Sequence, residues 1–195
     1  TLAKDGGPQV NYQAVGSGSG RKAFIDQTVN FGASDDPMKK KDMAKVKRGV
    51  VQIPMVGGTI AFGYNKPGCD LKLTQEQAVK VAMGKIRNWQ DLGCMPGTIT
   101  WVHRSDGSGT TKAFTNSMQA FSSTWTLGTG KSVKWPAGVG AKGNSGVAGV
   151  IQNRLGAIGY VNQSYIKGKV VAAALQNKSG AVSYTHLRAH ETPIN

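Results

Sequence analysis

Carboxylates run out early in this chain. Between Asp106 and Glu191 there is no aspartate or glutamate, and the whole sequence holds only 10 acidic residues against 24 lysines and arginines, a net charge of +14. Long apolar runs are lacking too. None approaches the roughly 20 residues that a membrane-spanning helix needs, and with 39% hydrophobic and 17% charged residues the composition predicts a soluble, globular chain. The opening "TLAKDGG" is neither basic nor followed by an apolar stretch, so no signal peptide is visible, which leaves secretion open. Cysteine is scarce, with Cys69 and Cys94 alone. Two thiols at that spacing make a poor zinc site. They either close one loop as a disulfide in an oxidising compartment or stay separate and buried.

Catalytic and nucleotide motifs fail on inspection. "GTGKS" ends like a phosphate-binding P-loop, but the leading glycine would fall at Trp125. "GVGAKG" (138–143) matches GxGxxG, yet no acidic residue follows to hold a ribose hydroxyl. The nucleophile-elbow pattern GxSxG is absent. His103 is the one histidine outside the C-terminal tail, and its place at a strand end favours a structural role over hydrolase chemistry. His186 and His190 sit four apart, as metal ligands on a helix do, but "VSYTHLRAHET" reads as translated adaptor sequence and is set aside, and with it any metal site.

What is present is an alternation of β-rich and helix-like runs, the pattern of an α/β protein. Strands are predicted at 10–15, 29–34, along "VVQIPMVGGTIAFGYN" with Gly57–Gly58 as a bulge or hinge, at 98–103, in "AIGYVN" and in "KVVAAAL". Pro37 opens a lysine-rich helix to about Arg48. Thr74 and Gln77 make a capping box ahead of Ala78, Val79, Ala82 and Met83. Ala113, Phe114, Met118 and Phe121 mark the next buried stripe, and Val147, Val150 and Ile151 a further one.

Glycine-rich stretches at 16–20, 106–111 and 138–146 each lie between a strand and a helix. A helix that begins at such a loop aims unpaired N–H groups and a positive dipole end outward, which suits an anion. Ordinary loop glycines with serine caps would explain any one of the three. Arg104 lies two residues before Asp106, so the carboxylate could hold the guanidinium fork in one orientation. Asp35, at the end of a predicted strand, would repel an anion unless the ligand brought a proton to share. That combination points to a protonated oxyanion.

"VNYQAVGSGSG", "TVNFGASDDP", "HRSDGSGTTKAFT", "SVKWPAGVGAKGNSGVAGVIQ" and "GAIGYVNQSYI" follow one another in an order that closely resembles the phosphate-binding proteins of high-affinity phosphate ABC transporters, the PstS family, in wording most like its cyanobacterial members. The resemblance runs to about Lys178. It implies an α/β, two-lobed periplasmic binding protein fold of type II, with phosphate held dehydrated between the lobes. Phosphate contacts are implied at Ser17, Asp35, Arg104, Ser108, Gly109 and Thr110, with Asp106 bracing Arg104. Asp35 would accept a hydrogen bond from the phosphate proton and so reject sulfate.

Family members carry an upstream loop and a long C-terminal part not seen here. Residues 1–56 are therefore expected to be a partial first lobe, 57–180 a nearly complete second lobe, and 181–195 the adaptor-derived tail. The resemblance further implies a periplasmic monomer without catalytic step, cofactor or metal. Its partners would be inorganic phosphate and the membrane permease subunits, and closure about Val56–Gly58 would exclude water. The alternatives are a binder of sulfate or molybdate and, on charge alone, a basic nucleic-acid-binding module. The latter lacks any recognisable motif.

Overall fold

The computed structural model describes residues 6–177 together with the backbone of 182–183 and 187–188. The chain opens with α1 (Gly16–Ile25) and the short α2 (Lys40–Met43). There follow β1 (Thr59–Asn65), β2 (Lys72–Leu73), α3 (Gln75–Ala82), β3 (Thr100–Arg104), α4 (Gly109–Phe121), β4 (Val139–Ala141), α5 (Gly143–Asn153) and β5 (Ala157–Asn162). Short strands β6 (Val171–Ala172), β7 (Ala174–Gln176), β8 (Val182–Ser183) and β9 (Leu187–Arg188) complete it.

The main sheet has the order β4-β3-β5-β1-β6, with β9 also on β1. β3 runs parallel to β4 and β5, whereas β1 is antiparallel to β5, with Phe62 opposite Tyr160. Side chains alternate between the two faces of this sheet, as the strand period of two requires. On one face Phe62, Tyr64, Trp101, Ile158 and Tyr160 pack against Val79 of α3 and Phe114 and Met118 of α4. On the other, Val102, Ala157 and Val161 meet Val147 and Ile151 of α5. Helices thus cover both faces. Each fully buried side chain of this size contributes roughly 1.5–3 kcal/mol, enough for the core to hold the strand ends in fixed relation.

The α3 start follows its sequence. The Thr74 hydroxyl accepts the Gln77 amide at 3.1 Å and the Gln77 side chain accepts the Thr74 amide at 2.9 Å. Cys69 and Cys94 form a disulfide that closes the loop around α3 and Trp89.

Several predicted elements are corrected. Residues 10–15, 29–34 and 50–56 form no strand. An extended run becomes a strand only where a neighbour accepts its backbone bonds, and among the described residues these runs have none. Their apolar side chains stay exposed, Val51 at 83% and Met55 at 84%. The helix predicted from Pro37 to about Arg48 shrinks to one turn, Lys40–Met43. Its like charges repel at helical spacing, and it buries no residue that would compensate. "KVVAAAL" is not one strand but two. Ala173 donates to the Phe62 carbonyl at 2.9 Å and Ala174 to the Leu71 carbonyl at 2.9 Å, so the chain passes there from the main sheet to a second one of β2, β7 and β8.

Within 181–195, Val182 pairs with Gln176, and Leu187–Arg188 with Thr59–Ile60. His186 and His190 lie outside the described residues.

Replacing Cys69 and Cys94 with serine should lower stability by about 3.5 kcal/mol, the chain-entropy value for a sequence separation of 25 residues. Urea unfolding read by tryptophan fluorescence measures it, and a midpoint matching that of the intact protein would contradict a stabilising role for the bridge.

Candidate functional site

β3 lies between two parallel neighbours and ends at Arg104, in the position where open α/β sheets present their binding groups. Arg104 is 7% exposed. Its Nε donates to Asp106 Oδ1 at 2.6 Å and its Nη2 to Asp106 Oδ2 at 2.6 Å, a bidentate fork. The Gly143 amide donates to the same Oδ1 at 3.2 Å. Burial disfavours the Asp106 carboxylate, but the bonds from Arg104 and Gly143 outweigh it and keep the group below its ordinary range. It stays ionised at neutral pH, so the fork stays closed. Nη1 of Arg104 has no protein acceptor among the described residues and remains available.

Around this arginine three helices begin. Gly18 of α1 donates to the Gly107 carbonyl at 2.8 Å, which brings α1 onto the loop that leads into α4. α5 is brought there by the Gly143–Asp106 bond. Ser108 caps α4, its hydroxyl accepting the Thr111 amide at 3.0 Å. The amides of Gly109 and Thr110 have no acceptor among the described residues, so the positive end of α4 is partly unsatisfied.

Two of the glycines are required by close approach. A Cβ on Gly16, whose φ is +76°, would stand 2.6 Å from Asp106 Oδ2. One on Gly109 would stand 2.6 Å from both Ser17 Oγ and Asp35 Cβ.

The structure brings Ser17, Asp35, Arg104, Gly109 and Thr110 together. The Ser17 hydroxyl accepts the Asp35 amide at 3.2 Å, and the Thr110 hydroxyl donates to Asp35 Oδ2 at 3.3 Å. Ser17, Asp35 and Arg104 line one hollow together with Asn144 and Ser145 of α5. Gly109 and Thr110 adjoin that lining through Ser17 and Asp35 without being part of it, and Ser108 stands apart from it. Ser108 is fully buried, and its hydroxyl is engaged in the cap.

Two residues escaped the sequence reading. Asn144 donates to the Thr110 hydroxyl at 3.4 Å and accepts the Asn162 amide at 3.1 Å; its only sequence signal was membership of the third glycine-rich loop. Asp36, beside the exposed Asp35, is buried among cations. An acid in so basic a chain was its signal.

Residues 3–194 match a family model described as a PBP superfamily domain. The chain belongs to the PBP superfamily. Among members of known name, phosphate-binding protein PstS of Pasteurella multocida (strain Pm70) is 44% identical over 186 residues, covering 88% of this chain and 53% of that protein. The chain spans about half the length of the curated relatives it matches. A high affinity periplasmic phosphate-binding protein, PfluDING, solved with phosphate bound, superposes with a TM-score of 0.73 at 21% identity, over 87% of this chain and 56% of that one. The phosphate-binding protein from Stenotrophomonas maltophilia does so with a TM-score of 0.69 at 24% identity, over 86% and 58%. The α/β fold expected from the sequence is thus that of the superfamily's two-lobed, type II class. No helix among the described residues is long and apolar enough to cross a membrane.

In this PBP domain Tyr160 supports the arginine from behind. Its hydroxyl receives the Arg104 amide at 3.2 Å and shares a 2.7 Å hydrogen bond with the Thr111 hydroxyl, while its ring stacks on Phe114 at 4.3 Å. Burial pushes the phenol up to about 12, against the pull of the Thr111 bond. The unfolded chain loses this proton near pH 10.0, whereas the folded chain keeps it to about 12. Stability should therefore fall as pH rises through that window. Urea midpoints taken at about pH 9 and about pH 11 measure the decline, which Tyr160→Phe should make shallower. An equal decline in the variant would remove Tyr160 from the cause.

Proposed function

We propose that this chain binds inorganic phosphate in the hollow at the starts of α1, α4 and α5, as the ligand-recognising part of a phosphate ABC transporter's binding protein. The observation that carries the reading is the buried Arg104, forked onto Asp106 with Nη1 left over, next to the unsatisfied amides of Gly109 and Thr110. A fixed guanidinium and helix-end amides suit a tetrahedral oxyanion. The phosphate-binding names of relatives such as the Pasteurella multocida PstS support the choice of ligand.

In this reading Arg104 supplies a charged contact through Nη1, held in orientation by Asp106. Gly109 and Thr110 offer their amides. Ser17 and Thr110 offer hydroxyls, and Ser108 presents the α4 cap that keeps those amides aimed. Asp35 accepts a hydrogen bond from the ligand's proton. Monohydrogen and dihydrogen phosphate carry at least one, whereas sulfate at neutral pH carries none and would face an unpaired carboxylate. The Thr110–Asp35 bond is the one a ligand would displace or extend. Recognition of this kind involves no bond making. Delivery of phosphate to permease subunits, a periplasmic location and a monomeric state complete the proposal.

Titration calorimetry with phosphate, sulfate and molybdate tests it. Arg104→Ala should weaken phosphate binding by about 2–5 kcal/mol, the range for truncating one partner of a buried charged pair. Normal affinity in that variant would mean the site lies elsewhere. Asp35→Asn should narrow the preference for phosphate over sulfate. If the ratio is unchanged, Asp35 has no part in selection, and a preference for sulfate or molybdate in the unaltered chain would replace phosphate as the ligand.

A further inference from the structure

Asp36 is 8% exposed and meets three cations. Arg21 Nη2 lies 2.6 Å from Oδ2, Lys112 Nζ 2.6 Å from Oδ1, and Lys131 Nζ 3.2 Å from Oδ2. The Ser34 hydroxyl donates to the Asp36 carbonyl at 2.7 Å and accepts its amide at 3.2 Å, so the backbone around the carboxylate is held as well. Arg21 and Asp36 both precede β1. Lys112 sits in the first turn of α4, and Lys131 belongs to the loop whose carbonyl receives the Ser108 amide at 2.9 Å. One carboxylate therefore grips α1, the start of α4 and the loop beneath the α4 cap.

We infer that Asp36 is an ionic latch, a positioning residue that ties the segment before β1 onto α4 and so holds Ser17 and Asp35 over the α4 start. The inference deepens the phosphate reading of the hollow and rests on it for its effect on ligand. Other links across this junction are slight. Among the described residues they include the Gly18–Gly107 bond, the Thr110–Asp35 bond and close packing at Gly16 and Gly109. A buried, multiply paired carboxylate is the strongest of them in kind, because removing it leaves partly buried cations facing one another.

A latch and a simple field effect predict opposite signs. Asp36 carries a negative charge next to Asp35, so by Coulomb interaction alone its neutralisation would strengthen the binding of an anion. As a latch, its neutralisation loosens the segment that carries Ser17 and Asp35, and binding weakens.

The decisive variant is Asp36→Asn in the full chain, read in two ways. Without ligand, amide exchange at Gly18 should quicken by on the order of tenfold, while the amides of β1 and β5 keep their protection. General destabilisation would speed exchange in all of them alike. Stopped-flow mixing with inorganic phosphate should show dissociation faster by on the order of tenfold, with association unchanged or faster. Lys131→Gln, which leaves Asp36 two of its cations, should shift both readings less in the same direction. Unchanged protection at Gly18, or tighter phosphate binding in Asp36→Asn, would overturn the latch. If the unaltered chain binds no phosphate, the reading of the hollow fails, and Gly18 exchange still decides the latch.

Discussion

The Arg104–Asp106 fork is the interaction on which the rest of the site depends. Both nitrogen–oxygen distances are 2.6 Å, and the arginine is almost wholly out of water. A guanidinium in that setting is costly unless its charge and its donors are met. Asp106 meets two donors and leaves the arginine rigid rather than free to swing. Its second partner, the Gly143 amide, recruits the start of α5, and the position at Gly16 leaves no room for a side chain against the same carboxylate. One ion pair thereby meets the starts of two helices, α1 and α5.

The packing behind that pair explains why it can be so fixed. β3 is buried on both faces, Trp101 toward α3 and α4 and Val102 toward α5. Its last residue is delivered to one place by two cores at once. Tyr160 extends the support, joining Arg104 and Thr111 through one hydroxyl while stacking on Phe114. A shift of any of these would be felt at the arginine, since close-packed interiors transmit displacement.

Charge distribution gives a second layer of logic. In a chain with so few acids, Asp35, Asp36 and Asp106 all gather at the junction of α1, α4 and α5. Each does something different by virtue of its surroundings. Asp106 neutralises a buried arginine, Asp36 neutralises a set of cations, and Asp35 keeps an exposed carboxylate beside the α4 start. The lysines elsewhere lie largely on the solvated surface, where isolated pairs contribute little.

Much of this was readable from residues alone. The β-rich runs of β1, β3 and β5, the capping box at Thr74, the apolar stripes of α4 and α5 and the Arg104–Asp106 spacing are local patterns, each governed by near neighbours in the chain. Local chemistry likewise marked the three glycine-rich helix starts. What tertiary structure alone decided are matters of distant partners. Whether 10–15 or 29–34 forms a strand depends on a neighbour to accept its backbone bonds, and whether the lysine-rich run stays helical depends on a surface to bury against. That Asp36 would sink among Arg21, Lys112 and Lys131, that Ser108 would be consumed by its cap, and that Asn144 would reach Thr110 followed from folding distant segments together. Backbone pairing and charge burial are settled by contacts across the chain, and no local spacing encodes them.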